Sequence, residues 1–317
     1  MYQKESARMT GRRGELCADS YHTMDTHPLH AFIDSLRADM AAHDITPPSE
    51  IIPDGCMHRF HVDGDRRGRV NGWYVLHVDG VPAAAYGSWK LGVTHTWCAR
   101  KPETLTAAER DNLRRRMEAA RKQRDQEQAR QHAEAAKQAK EIWDDSRAAD
   151  PGHGYLLKKN VKPLSARQQG AGLVIPVIGY DGQIKSLQFI YPDGSKRLLP
   201  GGAKKGNFIP VYGDMPSPRL LICEGWATGA TLAEMEPAAC VFAAVDAGNL
   251  EAVAVGARKR WPSAEIIVCC DRDEVGKAKG RAAAIAAGAK IAIPDFPEGS
   301  TGTDFNDLAT VLAGRAK

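Results

Sequence analysis

The chain has 317 residues, 43% hydrophobic and 26% charged, an ordinary globular composition with enough length for more than one core. No apolar run reaches the roughly 18 residues that span a bilayer, and the N-terminus lacks the apolar region of a secretion signal. A net charge of +4 is too mild to mark a nucleic-acid binder on its own. These exclusions leave a cytoplasmic protein with no membrane association as the expectation. Cys17, Cys56, Cys98, Cys223, Cys240, Cys269 and Cys270 include no CxxC pair, which predicts reduced thiols and no zinc site.

Residues 1–27 are polar and aperiodic and read as a disordered arm. In "HAFIDSLRADMAAHDI", Phe32, Leu36 and Met40 fall at helical spacing. From Asp54 to Trp97, alternating aromatic and β-branched residues between "DGD", "NG" and "DG" predict hairpins, with "RFHV" as a strand carrying Arg59 and His61 on one face. Residues 28–103 are thus expected to form a small β-rich α+β module. Trp73, Trp89 and Trp97 stand there among Arg66, Arg67, Arg69 and Lys90, and they have two readings: a core, or a stacking surface for single-stranded nucleic acid.

Residues 104–147 open with Thr106 and Glu109 at capping-box spacing, then run on through mixed charges without Gly or Pro. This predicts a long solvated helix that joins two modules. Residues 148–217 read as a basic α+β subdomain, with a helix at "HGYLLKKNV" and strands joined by "YDGQ" and "PDGS" turns. Its cations include Lys158, Lys159, Lys196, Arg197, Lys204 and Lys205. "GGAKKGN" lacks the Lys-Ser/Thr pair of a Walker loop and runs into strand-like "FIPV", which excludes that site. From Arg219, apolar strands alternate with helices. Residues 218–317 are therefore expected to be an α/β domain whose parallel sheet is covered by helices.

Ligands of such sheets bind outside the carboxyl ends of the strands. Glu224 ends "RLLICEG", and Asp271 and Asp273 end "EIIVCCDRD", so three carboxylates converge on one rim. Like charges so placed raise one another's pKa unless a cation neutralises them, and hard oxygen ligands suit Mg²⁺ or Mn²⁺ shared with substrate phosphates. Helix capping is the competing reading of Asp271 and Asp273, and it is the more ordinary role for Asp304 and Asp307 in "TDFND". Asp246 and Asp304 are further candidates for the metal. Asn249 either shapes the loop beside the site or turns the chain into its helix.

"EGWATGATL", "AAVDAGNL", "DRD" and "GTDFNDL" together resemble the Toprim domain of bacterial primases, topoisomerases and certain nucleases. The likeness is greatest to the primases of conjugative plasmids and phages, and it extends upstream through "YLLKKNV", "LVIPV", "SLQFIYPDGSKRLLPGG" and "KGNF". The resemblance implies synthesis of RNA primers from NTPs on single-stranded DNA. Glu224 would do acid–base work, and Asp271 and Asp273 would ligate the divalent metals. Lys204, Lys205 and Lys277 would offset phosphate charge, with Arg66 and Arg67 as nucleic-acid contacts of the first module. No helicase motif is visible, so a replicative helicase would be a separate partner. A Toprim nuclease and a non-enzymatic binder of single-stranded DNA are the alternatives.

Overall fold

The computed structural model describes residues 26–65 and 68–315. Almost all of the expected N-terminal arm, together with Arg66 and Arg67, lies outside the described residues. The chain divides into two compact units, residues 1–128 and 129–317.

In the first unit, α1 (Thr26–Ala42) is followed by β1 (His58–Phe60), β2 (Gly72–His77), β3 (Ala83–Ser88) and β4 (Val93–Cys98), an antiparallel sheet in sequential order. His61 falls just outside β1, so the expected strand is shorter than "RFHV". Leu36 and Met40 of α1 pack on Tyr74, Leu76 and Tyr86 of one sheet face. Ala120, from the first part of α2 (Ala107–Asp145), packs with Trp73 and Val75 of the other. The capping box is as the sequence predicts: Thr106 N–H donates to Glu109 Oε2 at 2.7 Å, and Glu109 N–H donates to Thr106 Oγ1 at 3.2 Å.

The second unit takes the remainder of α2 and builds two sheets. The first contains β5 (Arg147–Ala148), β6 (Arg167–Gln169), β7 (Gly172–Ile178), β8 (Ile184–Ile190) and β9 (Lys196–Leu198), with α3 (Gly154–Lys159) inserted after β5. It is antiparallel throughout, with tight turns joining β7 to β8 and β8 to β9. Ala135 and Ala139 of α2 cover one face of it at Val174, Leu187 and Leu199.

The second sheet has the order β10 (Ile209–Tyr212), β12 (Cys240–Ala243), β11 (Arg219–Cys223), β13 (Glu265–Cys269), β14 (Lys290–Ala292). Its last four strands are parallel, as their apolar runs alternating with helices predict. β10 adds an antiparallel edge, so the sheet is mostly rather than wholly parallel. α4 (Trp226–Met235) and α7 (Phe305–Arg315) lie on one side, where their core is shared with Leu173, Ile175 and Val177 of β7. α5 (Leu250–Arg260) and α6 (Glu274–Ala287) cover the other side. Among the described residues no helix is long and apolar enough to cross a membrane.

Candidate active site

Cys223 of the central strand β11 pairs in register with Ala243 on one side and Cys269 on the other. These three of the four parallel strands therefore end at one rim, and the next residues of each chain segment carry the acids. Glu224 follows β11 directly, Asp271 follows β13, and Asp246 follows β12. Val245 turns the β12 end with a φ of +76°, a left-handed conformation costly for a β-branched residue. Such strain is held only where the surrounding contacts fix it.

The electrostatics single out two of these acids. Asp271 Oδ1 is buried without a hydrogen-bond partner. Burial, and then the charges of Glu224, Asp304, Asp273 and Asp307, push its carboxyl up to about 7. Burial likewise raises Glu224; a hydrogen bond from the Ala247 N–H opposes that shift, Asp246 and Asp273 add to it, and Lys196 opposes it. An orphaned carboxylate oxygen among four other acids is what a hard cation would satisfy.

The remaining acids are engaged elsewhere. Asp273 caps α6, its Oδ1 accepting from Gly276 N at 2.7 Å, which leaves its second oxygen available. Asp304 caps α7 through Asp307 N at 2.8 Å and accepts from Thr228 Oγ1 at 3.2 Å. Asp246 Oδ2 lies 2.6 Å from Lys204 Nζ. Consequently, no three His, Cys, Asp or Glu side chains among the described residues stand in a metal-binding group. The expected trio of Glu224, Asp271 and Asp273 shares a rim without forming a coordination shell.

The basic residues divide similarly. Lys204 faces Asp246, Lys205 is exposed, and Lys277 is held by Glu274 of its own helix at 2.6 Å. Sequence reasoning did not single out Lys196 and Lys159 as the cations that the structure brings to the acids. Lys196 of β9 is solvent-exposed over part of its surface. Crowding around its ammonium, and then Lys159, lower its pKa, while Glu224, Asp304 and Asp271 pull it up. Lys159 Nζ lies 3.6 Å from Asp307 Oδ1. Beside it an open cavity of about 410 Å³ is lined by Lys158, Thr301, Gly302 and Asn306. The signal for Lys196 was its place after the "PDGS" turn; its approach to Glu224 depends on how two sheets pack.

In the first unit, Trp73 and Trp97 are core residues, 1% and 8% exposed. The Arg59 guanidinium covers Trp89, 5.1 Å from the ring centroid. The core reading therefore holds for Trp73 and Trp97.

Two DNA primases TraC of Escherichia coli are similar to this chain. One is 34% identical over 271 residues, which is 80% of this chain and 25% of the relative; the other is 34% identical over 263 residues, 77% and 18% respectively. The chain thus spans a quarter or less of the curated relatives it matches. The primase fragment of the bacteriophage T7 primase-helicase protein overlays on 54% of this chain and 77% of its own, with a TM-score of 0.41 and 15% identity. Residues 219–314, which hold the strand-end acids and the capped "TDFND" helix described above, match the Toprim family, and this part of the chain is a Toprim domain.

Proposed function

We propose that this chain is a primase-type nucleotidyltransferase that makes short RNA primers on single-stranded DNA with Mg²⁺ or Mn²⁺. The observation that carries the reading is the buried, unpartnered Asp271 oxygen beside Glu224 at the strand rim, in a chain 34% identical to a DNA primase over 80% of its length. Asp271 and Glu224 would hold the ion, with the second oxygen of Asp273 in reserve. A bound divalent cation supplies charge stabilisation to the attacking and leaving oxygens of phosphoryl transfer.

The rest falls to the chain. The Glu224 carboxylate accepts the proton of the primer 3′-hydroxyl as that oxygen attacks the α-phosphorus of an NTP. The bond from the α-phosphorus to the bridging oxygen breaks, and pyrophosphate leaves. Lys196 and Lys159 offset the negative charge on the phosphate oxygens. The cavity beside Lys159 gives room for the nucleotide. Template DNA, NTPs and a separate helicase are the partners this reading requires.

Labelled-NTP incorporation on single-stranded DNA, comparing wild type with Asp271→Ala, tests it. Metal-dependent oligoribonucleotides from wild type alone are expected. A degraded template would replace this reading with a nuclease. An intact, bound template without product would replace it with a DNA-binding accessory protein.

A further inference from the structure

The amide of Asn249 is the most heavily engaged polar side chain near the site. Asn249 is 2% exposed. Its Oδ1 accepts from Gly206 N at 2.8 Å, and its Nδ2 lies 3.1 Å from Lys204 O, 2.9 Å from Asn207 O and 2.9 Å from Ala244 O. Two amide hydrogens serve three carbonyls, so one is shared. Three of the four partners belong to one segment, residues 201–207 between β9 and β10, which has no helix or strand of its own. The fourth, Ala244, is the first residue beyond β12, two before Asp246.

That segment carries Lys204 and Lys205. Unclamped, it would sample many conformations, and ordering it on substrate binding would cost conformational entropy. A buried amide that satisfies both its N–H and its carbonyl groups removes that freedom in advance. Lys204 Nζ is then fixed 2.6 Å from Asp246 Oδ2, and the Ala247 N–H that binds Glu224 sits two residues before Asn249. The same short turn thus lies beside one acid of the site and holds the loop that carries Lys204 and Lys205.

We propose that Asn249 is a positioning residue: its side-chain amide locks the 201–207 loop onto the end of β12 and presets Lys204 and Lys205 for phosphate oxyanions of the substrate. Asn249 itself touches no substrate. The identity of the anion rests on the nucleotidyl-transfer reading above; the lock does not. The oxyanions come from either the NTP or the template backbone, and the two are measured separately.

Hydrogen exchange on the wild-type chain comes first, because it needs no variant to fold. The Gly206 amide should exchange at least about 100-fold more slowly than a free-chain amide. Asn249→Ala should abolish that protection and speed tryptic cleavage after Lys204 or Lys205 by about tenfold or more. Either KM for NTP or Kd for an oligodeoxythymidylate should rise about tenfold, with a smaller change in kcat. The constant that moves identifies the anion.

In a K204A/K205A background, Asn249→Ala should add little to either constant, since residues acting through one another are not additive. An unprotected Gly206 amide in wild type would overturn the proposal. So would an Asn249→Ala effect of equal size without the two lysines, or one confined to kcat with cleavage unchanged. If the wild type makes no RNA, the primase reading fails by itself, while exchange, proteolysis and oligonucleotide affinity still decide the lock.

Discussion

Cys223 and Cys269 are register partners on neighbouring parallel strands, and this pairing brings Glu224 and Asp271 to a common rim. Both thiols are buried and reduced, so the pair acts through backbone hydrogen bonding and packing rather than through sulfur chemistry. Each strand then needs only one or two residues beyond the sheet to present its acid. The arrangement concentrates negative charge around Asp271.

That concentration has a cost that a substitution should recover. Asp271 is held protonated up to about pH 7 in the folded chain, whereas the unfolded chain loses this proton near ~4. Between those values the folded state binds more protons. The group's contribution to stability of the metal-free protein therefore falls as pH rises through this window and levels off above it. Asp271→Asn should raise stability at pH 8 by about 1–2 kcal/mol, discounted because the side chain is partly solvated. Thermal denaturation at pH 5 and pH 8 checks this, since the gain should be larger at the higher pH. Added Mg²⁺ should raise the melting temperature of wild type and leave that of Asp271→Asn unmoved.

Asp273 can be separated into cap and charge. Asn caps a helix as well as Asp does, while Ala does not. Asp273→Asn should keep stability within about 0.5 kcal/mol of wild type, and Asp273→Ala should lose about 1 kcal/mol through the broken bond to Gly276. Both should lose metal-dependent nucleotide incorporation if the second carboxylate oxygen serves the ion. Full activity in Asp273→Asn would confine this residue to capping. Urea melts and incorporation assays on the same preparations give both answers.

Much of this was legible in the sequence because strand-end acids follow from local pattern. The apolar run before Asp271, the Gly after Glu224 and the "DFND" turn each announce themselves within a few residues. The cations were less legible. Lys277 lies close to Asp271 in sequence but turns along its own helix to Glu274, whereas Lys196 reaches the acids from a strand of the other sheet. No periodicity encodes that approach, which depends on β7 and β11 sharing one core. β10 was legible as a strand but not as the antiparallel edge of the Toprim sheet, since pairing partners are a tertiary choice.

Lys196→Ala should test that missed cation. Its charge holds the Glu224 pKa down against burial and against Asp246 and Asp273. Removing it should raise that pKa, so the acid limb of the pH–rate profile moves to higher pH. It should also lower kcat/KM by about 10²-fold through lost phosphate neutralisation. Lys277→Ala, whose ammonium is paired with Glu274, should change kcat/KM by less than about threefold. Equal effects of the two substitutions would remove Lys196 from the site.

The contact between α5 and the β7–β8 turn carries a prediction whose sign runs against helix propensity. Replacing a Gly inside a helix by Ala ordinarily stabilises by about 1 kcal/mol. Gly256 of α5, however, faces the ring of Tyr180: a Cβ there would overlap Cε2 and stand 2.9 Å from Cζ. Tyr180 is held in place, its hydroxyl donating to Val253 O and its ring packing 4.9 Å from Phe208 and 5.6 Å from Trp261. The ring cannot retreat without losing those contacts, so Gly256→Ala should destabilise by about 1–3 kcal/mol. In a Tyr180→Ala background the overlap is gone, and the same substitution should become neutral or stabilising. Guanidinium melts of the four proteins in this cycle measure the coupling directly. A Gly256→Ala change that stabilises the otherwise unaltered chain would mean that Tyr180 does not fill the groove left by Gly256.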